Sequence, residues 1–232
     1  MIKILIFISL ILFYATSYAV GNKSTMGIAT AHPLATDAGH TVLQQGGNAF
    51  DAAITVSAVL AVVEPYSSGL GGGGFWLLHT AKDNQDMMLD GREIAPAKAT
   101  ANMYLDKDGN VIPELSITGA LSAGIPGEPA ALDWLAKNKG KLSLAQTLKP
   151  AIDLARNGFV VDAFYQKMLG FRLEAIRKSP AASRAFLINN DIPELGTLIK
   201  QPNLAHTLEL IAEKGRAGFY QGEVAEKLVE GV

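Results

Sequence analysis

The 232-residue chain contains no cysteine. That excludes disulfides, thiolate metal sites, cysteine nucleophiles and lipid attachment at a cysteine. Charge of one sign is also not in excess. The formal net charge is −2 over the whole chain. No Lys/Arg cluster and no interleaved aromatic run is present, so a basic nucleic-acid surface is excluded as the default. No apolar run is long enough to span a bilayer comfortably, the one at the start included. There Ile4 to Tyr14 is apolar apart from Ser9. Metal-binding patterns are absent as well. His32, His40, His79 and His206 show no ligand spacing with one another or with a carboxylate, and neither HExxH nor G-x-S-x-G occurs. No metal and no cofactor is expected.

The apolar start reads as an export signal. Lys3 supplies the charged n-region, and Ser17-Tyr18-Ala19 offers small residues where a signal peptidase cuts. The competing reading is an N-terminal membrane anchor. Cleavage after Ala19 divides the chain into a leader, 1–19, and a mature part, 20–232. The mature part keeps 19 Lys and Arg against 22 Asp and Glu once Lys3 leaves, a net of −3. An exported chain without disulfides must be held by burial, and its 49% hydrophobic content makes that feasible.

Along the mature part, Met26–Ala31 reads as a short strand that His32-Pro33 breaks. Residues 34–45 have helical spacing and end at Gly46-Gly47. Asn48 then reads as an N-cap answered by Asp51, as in a capping box. Residues 49–63 are apolar on every side, which marks a buried helix at the centre of the fold. Gly74–Thr80 and Met87–Asp90 read as a hairpin turning at Asp83-Asn84. Residues 95–126 read as a long surface excursion. Helices follow near 127–138, 143–157, 162–177 and 203–214, the last capped by Asn203. Gly140, Gly158, Pro180 and Gly215 punctuate them. Gly218 to Gly222 reads as a turn, and a further helix begins near Glu223. The fold class is α/β (α+β). Three short strands cannot cover so many helices, so the sheet reads as incomplete.

Four consecutive glycines lie in Glu64-Pro65-Tyr66-Ser67-Ser68-Gly69-Leu70-Gly71-Gly72-Gly73-Gly74-Phe75. Glycine loses the most backbone entropy on folding, so such a run implies backbone where no side chain fits. The run matches G-x-G-x-x-G formally. The order is helix then strand, the reverse of a dinucleotide site, and no Lys-Ser/Thr follows, so nucleotide binding is set aside. One reading is a tight turn under a packed neighbour. A compatible one is a ligand site lined by bare backbone N–H groups.

Arg92, in Asp90-Gly91-Arg92-Glu93-Ile94-Ala95-Pro96, is the best single candidate for substrate contact. A planar guanidinium binds a carboxylate through two parallel hydrogen bonds and stays charged. The competing reading is a structural salt bridge with Asp90 or Glu93. Ser67 and Ser68 could be nucleophiles only with a base nearby, and none is nominated. Turn hydrogen bonding is the simpler role for them. Glu64 and Asp90 could pair as acid and base, which spacing alone does not establish.

Several motifs then line up in order. Gly46-Gly47-Asn48-Ala49-Phe50-Asp51-Ala52-Ala53, the Glu64-to-Phe75 glycine segment and the Asp90-to-Pro96 segment resemble the N-terminal half of γ-glutamyltransferases, also called glutathione hydrolases. Gly124-Ile125-Pro126-Gly127, the stretch from Pro150 to Phe159, and Gly218-Phe219-Tyr220-Gln221-Gly222 are similar to it too. The resemblance runs from about Met26 to the last residue.

It implies an N-terminal nucleophile hydrolase with an αββα sandwich, incomplete in this chain. In that family a precursor cuts itself into a large and a small subunit, and the small subunit's new N-terminal threonine is the nucleophile. That threonine takes the γ-glutamyl group from glutathione or a similar γ-glutamyl compound and passes it to water or an acceptor amino acid, with its own α-amine as base. The family's arginine for the donor α-carboxylate falls on Arg92, with Asp90 and Glu93 orienting it. Residues 20–232 then correspond to the N-terminal portion of the large subunit. No catalytic residue is assigned in this chain, and Thr30 and Thr36 do not match the nucleophile motif. The small subunit of the same precursor is an expected partner. The chain alone is expected to be inactive, and the enzyme periplasmic or secreted. Alternatives are a non-catalytic binding or scaffold protein, or a related glutaryl-cephalosporin acylase or poly-γ-glutamate transferase.

Overall fold

The computed structural model describes residues 26–231. The expected leader, 1–19, lies outside the described residues. Helix α1 spans Pro33–Gln44 and α2 spans Ala49–Val63. A hairpin follows, β1 at Gly74–Thr80 and β2 at Gln85–Gly91. Then come α3 at Glu128–Asn138, α4 at Leu144–Asn157 and the short strand β3 at Phe159–Val160. The chain continues through α5 (Ala163–Gly170), α6 (Leu173–Arg177), α7 (Pro180–Phe186) and β4 (Leu198–Ile199). It ends in α8 (Pro202–Lys214), α9 (Ala217–Tyr220) and α10 (Glu223–Gly231).

Helix α2 is central because its sequence offers no polar face to water after Asp51. It packs against α1, α3 and α4, and α4 packs on α8. Ile54, Val59, Val62 and Val63 are fully buried. The capping box forms as read. Asn48 Oδ1 accepts from the amides of Phe50 and Asp51, and Asp51 Oδ2 accepts from the Asn48 amide at 2.8 Å. Asp51, fully buried, also accepts from the amides of Lys141 and Leu142. One carboxylate thus starts α2 and ties it to the α3–α4 loop. Gly140 is required there, since a Cβ would sit 2.7 Å from Asp51 Oδ1.

Strands β1 and β2 pair antiparallel, with Trp76 opposite Leu89 and Phe75 opposite Asp90. The turn places Asn84 at φ 51°, a conformation asparagine tolerates better than most residues. Trp76, Leu78, Met87 and Leu89 face the helices. Phe75, Leu77 and Met88 alternate onto the other face and stand exposed, Leu77 at 82%. The sandwich is therefore partial, with helices on one side of a hairpin whose second face is bare. β3 and β4 form a separate two-residue ladder.

Five readings of the sequence are corrected. Residues 26–30 do not form a strand, because among the described residues no strand runs beside them. They lead instead into the His32 cap, whose Nδ1 accepts from the Leu34 amide at 3.2 Å. The helix expected at 162–177 breaks between Gly170 and Leu173, where glycine weakens it and Phe171 faces solvent. Pro180 begins a helix rather than ending one, occupying the first turn behind a Ser179 cap. Likewise α8 starts at Pro202, so its cap is Gln201 and not Asn203. The Gln201 side chain is engaged elsewhere, donating to Val62 O at 2.7 Å. The segment Gly218–Gly222 is also not a simple turn, since α9 occupies its first part. Residues 95–126 are the expected excursion, carrying only two short 3-10 turns and isolated bridges.

Candidate functional site

The glycines converge on one place. A Cβ on Gly73 would lie 2.2 Å from Gly91 O, and one on Gly127 would lie 2.2 Å from the same oxygen. Three stretches of main chain, 72–73, 91–92 and 127–128, therefore cross in contact. The amides of Gly127 and Glu128 both donate to Gly72 O, at 2.9 and 3.0 Å. Ile94 and Ile125 exchange two further bonds just beyond. For Gly73 the packed-turn reading of the glycine run holds. Gly69, Gly72 and Gly74 also border a cavity of about 330 Å³ that Ser67, Ser68, Glu93 and Glu128 line.

Arg92 leaves this crossing at the end of β2. Its amide donates to Asp90 Oδ1 at 3.0 Å, so Asp90 fixes the main chain rather than neutralising the guanidinium. The guanidinium lies 5.6 Å from the centre of the Phe75 ring. It makes no ion pair among the described residues, neither with Asp90 nor with Glu93. The residue borders a cavity of about 430 Å³ between the β2 edge, α3 and α9. That volume lies in the range of small-ligand sites.

Behind Arg92, Glu128 is a buried carboxyl without a hydrogen-bonding side-chain partner among the described residues. Burial pushes its pKa up to about 7, and the nearby Glu93 carboxylate adds to the rise. Glu64 is separate from this group. Burial raises its pKa, His32 partly offsets the rise, and Asp162 adds to it. Among the described residues no hydrogen bond joins Glu64 to Asp90, whose carboxylate accepts from the Arg92 amide, so the two are not seen as an acid–base pair. The Ser67 and Ser68 amides donate to Glu64 O, at 2.9 and 2.8 Å. Their turn role is therefore present, and no histidine or lysine lines the cavity they border. His79 pairs with Asp86 on the exposed hairpin. Among the described residues no cluster of His, Asp or Glu is placed to hold a metal ion. No helix there is long and apolar enough to cross a membrane.

Sequence reasoning missed Arg216 and Tyr220, which share the larger cavity with Arg92. The Tyr220 hydroxyl donates to Pro126 O at 2.7 Å, and its ring lies under the Arg216 guanidinium at 5.6 Å. Two glycines bring them in. A Cβ on Gly218 would lie 2.0 Å from Leu210 O, and one on Gly215 would lie 2.3 Å from Asp133 Oδ1. The Gly-Phe-Tyr motif was the only signal that could have found this wall.

Comparison with known proteins fits this geometry. Residues 35–232 match the family described as gamma-glutamyltranspeptidase. A glutathione hydrolase proenzyme from Pseudomonas sp. (strain A14) is 44% identical over 216 residues, covering 93% of this chain and 37% of the relative. The chain thus spans well under half the length of that curated relative. The crystal structure of Helicobacter pylori gamma-glutamyltranspeptidase superposes with a TM-score of 0.87 at 40% identity, over 91% of this chain and 60% of that one. A cephalosporin acylase from Bacillus halodurans superposes with a TM-score of 0.74 at 28% identity, over 90% of this chain and 42% of that one. The incomplete sandwich is accordingly part of an N-terminal nucleophile hydrolase fold, and this chain belongs to the gamma-glutamyltranspeptidase family, corresponding to the N-terminal part of its large subunit.

Proposed function

We propose that this chain forms the N-terminal portion of the large subunit of an exported γ-glutamyltranspeptidase. The assembled enzyme cleaves the γ-glutamyl bond of glutathione or a related γ-glutamyl compound and passes the acyl group to water or an amino acid. Arg92 holds the α-carboxylate of the donor. The attacking threonine hydroxyl belongs to a small subunit produced from the same precursor, and no residue of this chain is assigned a bond-making role. The leader pattern at 1–19 supports delivery to the periplasm or exterior.

One observation carries this reading: Arg92 is an exposed guanidinium with no carboxylate partner among the described residues, stacked on Phe75 at the rim of a cavity. Stacking orients the plane and leaves its edge donors free for a bidentate carboxylate. The crossing beneath fixes the main chain, so the donor meets a placed charge. A glutaryl donor carries the same terminal carboxylate and lacks only the α-amino group, so Arg92 matches both kinds of acyl group and the choice between them lies with whatever meets the amine.

Arg92→Ala in the assembled enzyme tests the assignment. Removing one member of a charge-assisted pair costs roughly 2–5 kcal/mol. The donor KM should rise by at least ~30-fold. An unchanged KM refutes the role.

A further inference from the structure

The larger cavity holds one guanidinium beyond the one that would engage the α-carboxylate. Arg92, Lys137 and Arg216 line it, against Asp90 and Asp133. Lys137 is taken, with its Nζ 2.7 Å from Asp133 Oδ2. The Asp90 carboxylate accepts from the Arg92 amide. Two guanidiniums remain, Arg92 and Arg216, neither ion-paired among the described residues. Each lies 5.6 Å from an aromatic ring, Phe75 and Tyr220 respectively.

A guanidinium resting on a ring keeps its edge N–H groups free and its orientation limited, which suits it to a planar anion. Tyr220 is itself pinned by its bond to Pro126 O. The same cavity is also lined by Trp134, Ile94 and Pro126, which suits an apolar or peptide spacer better than a third charge. A ligand with one carboxylate can satisfy only one of the two. A ligand with a carboxylate at each end matches both.

We propose that Arg216 is a second carboxylate-binding residue, selecting γ-glutamyl peptides whose leaving portion ends in a free carboxylate. The proposal rests on the reading of Arg92 as the α-carboxylate residue. The α-carboxylate sits at the β2 end, the peptide portion crosses the apolar wall, and the terminal carboxylate reaches the start of α9. Arg216 is exposed, so its contribution is modest and acts on binding rather than on bond cleavage.

The test compares two donors in the assembled enzyme. Glutathione ends in a carboxylate on its leaving side, and a γ-glutamyl anilide does not. Arg216→Ala should raise the ratio of the glutathione KM to the anilide KM by about 3–10-fold. Arg216→Lys should recover part of that ratio as a point charge. An unchanged ratio overturns the proposal, as does an equal rise for both donors. Arg92→Ala should raise both KM values together. If it moves neither, the α-carboxylate reading fails, whatever Arg216 does. If it moves both and the Arg216 ratio stays constant, only the present inference fails. A variant that does not mature leaves a measurement on the wild-type enzyme. Esterifying the terminal carboxylate of glutathione should raise its KM about 3–10-fold, and an unchanged KM overturns the proposal.

Discussion

Substituting Glu128 by glutamine should stabilise the protein at alkaline pH and do little in acid. The carboxyl is 9% exposed, and burial followed by the Glu93 charge lifts its pKa from 4.5 to about 7. The folded state therefore binds this proton more tightly than the unfolded chain does. Stability from the neutral carboxyl is fully present below the unfolded value near 4.5. It drains away as pH rises through the folded value near 7, because unfolding then releases a proton the folded state was forced to keep. A displacement of this size corresponds to about 3 kcal/mol at pH 8 as an upper figure, each pKa unit being worth about 1.4 kcal/mol. Glutamine mimics the neutral form and removes the loss. For a body of this size each kcal/mol moves the midpoint by about 2–4 °C. Thermal melts of the assembled wild-type enzyme and its Glu128→Gln variant at pH 5 and pH 8 should diverge by roughly 4–10 °C at the higher pH and nearly coincide at the lower. Glu64 titrates in the same direction but is common to both proteins, so it cancels in the comparison. A Tm difference that is the same at both pH values would refute the argument that Glu128 is held neutral by burial.

Asp51→Ala removes the acceptor for the Asn48, Lys141 and Leu142 amides, and should cost about 1–3 kcal/mol or more in urea denaturation of the assembled enzyme. A loss below about 1 kcal/mol would mean the network is dispensable. Gly127→Ala forces a methyl within 2.2 Å of Gly91 O and 2.4 Å of Arg92 O, and should abolish soluble expression. A soluble variant with wild-type melting would show that the crossing relaxes easily. Purified residues 20–232 should not turn over a γ-glutamyl anilide, and activity above background would show that a nucleophile lies within them. The same segment, with Phe75, Leu77 and Met88 uncovered, should lack a sharp melting transition. A cooperative melt of the monomer contradicts that expectation.

Local chemistry was the legible part of this chain. The Asn48–Asp51 box, the all-apolar α2 and the Asn84 turn each depend on neighbours within a few residues, and each forms where the pattern puts it. Proline misled at 180, because one residue type both stops a helix and starts one, and the cap geometry decides which; at 203 an asparagine read as a cap lies inside the first turn. The β3–β4 ladder was invisible because two residues per strand leave no alternation to detect. Arg92 could be singled out from its residue type and place after a strand. Its lack of an ion pair could not, since that depends on where Asp90 and Glu93 turn. Arg216 lies far along the chain from Arg92 and reaches the same cavity only through the backbone approaches at Gly215 and Gly218. No periodicity encodes such a meeting.

The triple crossing beneath Arg92 separates position from identity. Residue 92 is placed by peptide groups and bare α-carbons contributed by two distant stretches, and its own side chain takes no part in that scaffolding. Changing the side chain there should alter what is recognised while leaving the platform intact. Altering any of the small residues that build the platform should move every ligand contact at once. On the proposed role of Arg92, selectivity can drift at one codon, whereas the place of that contact is written in glycine.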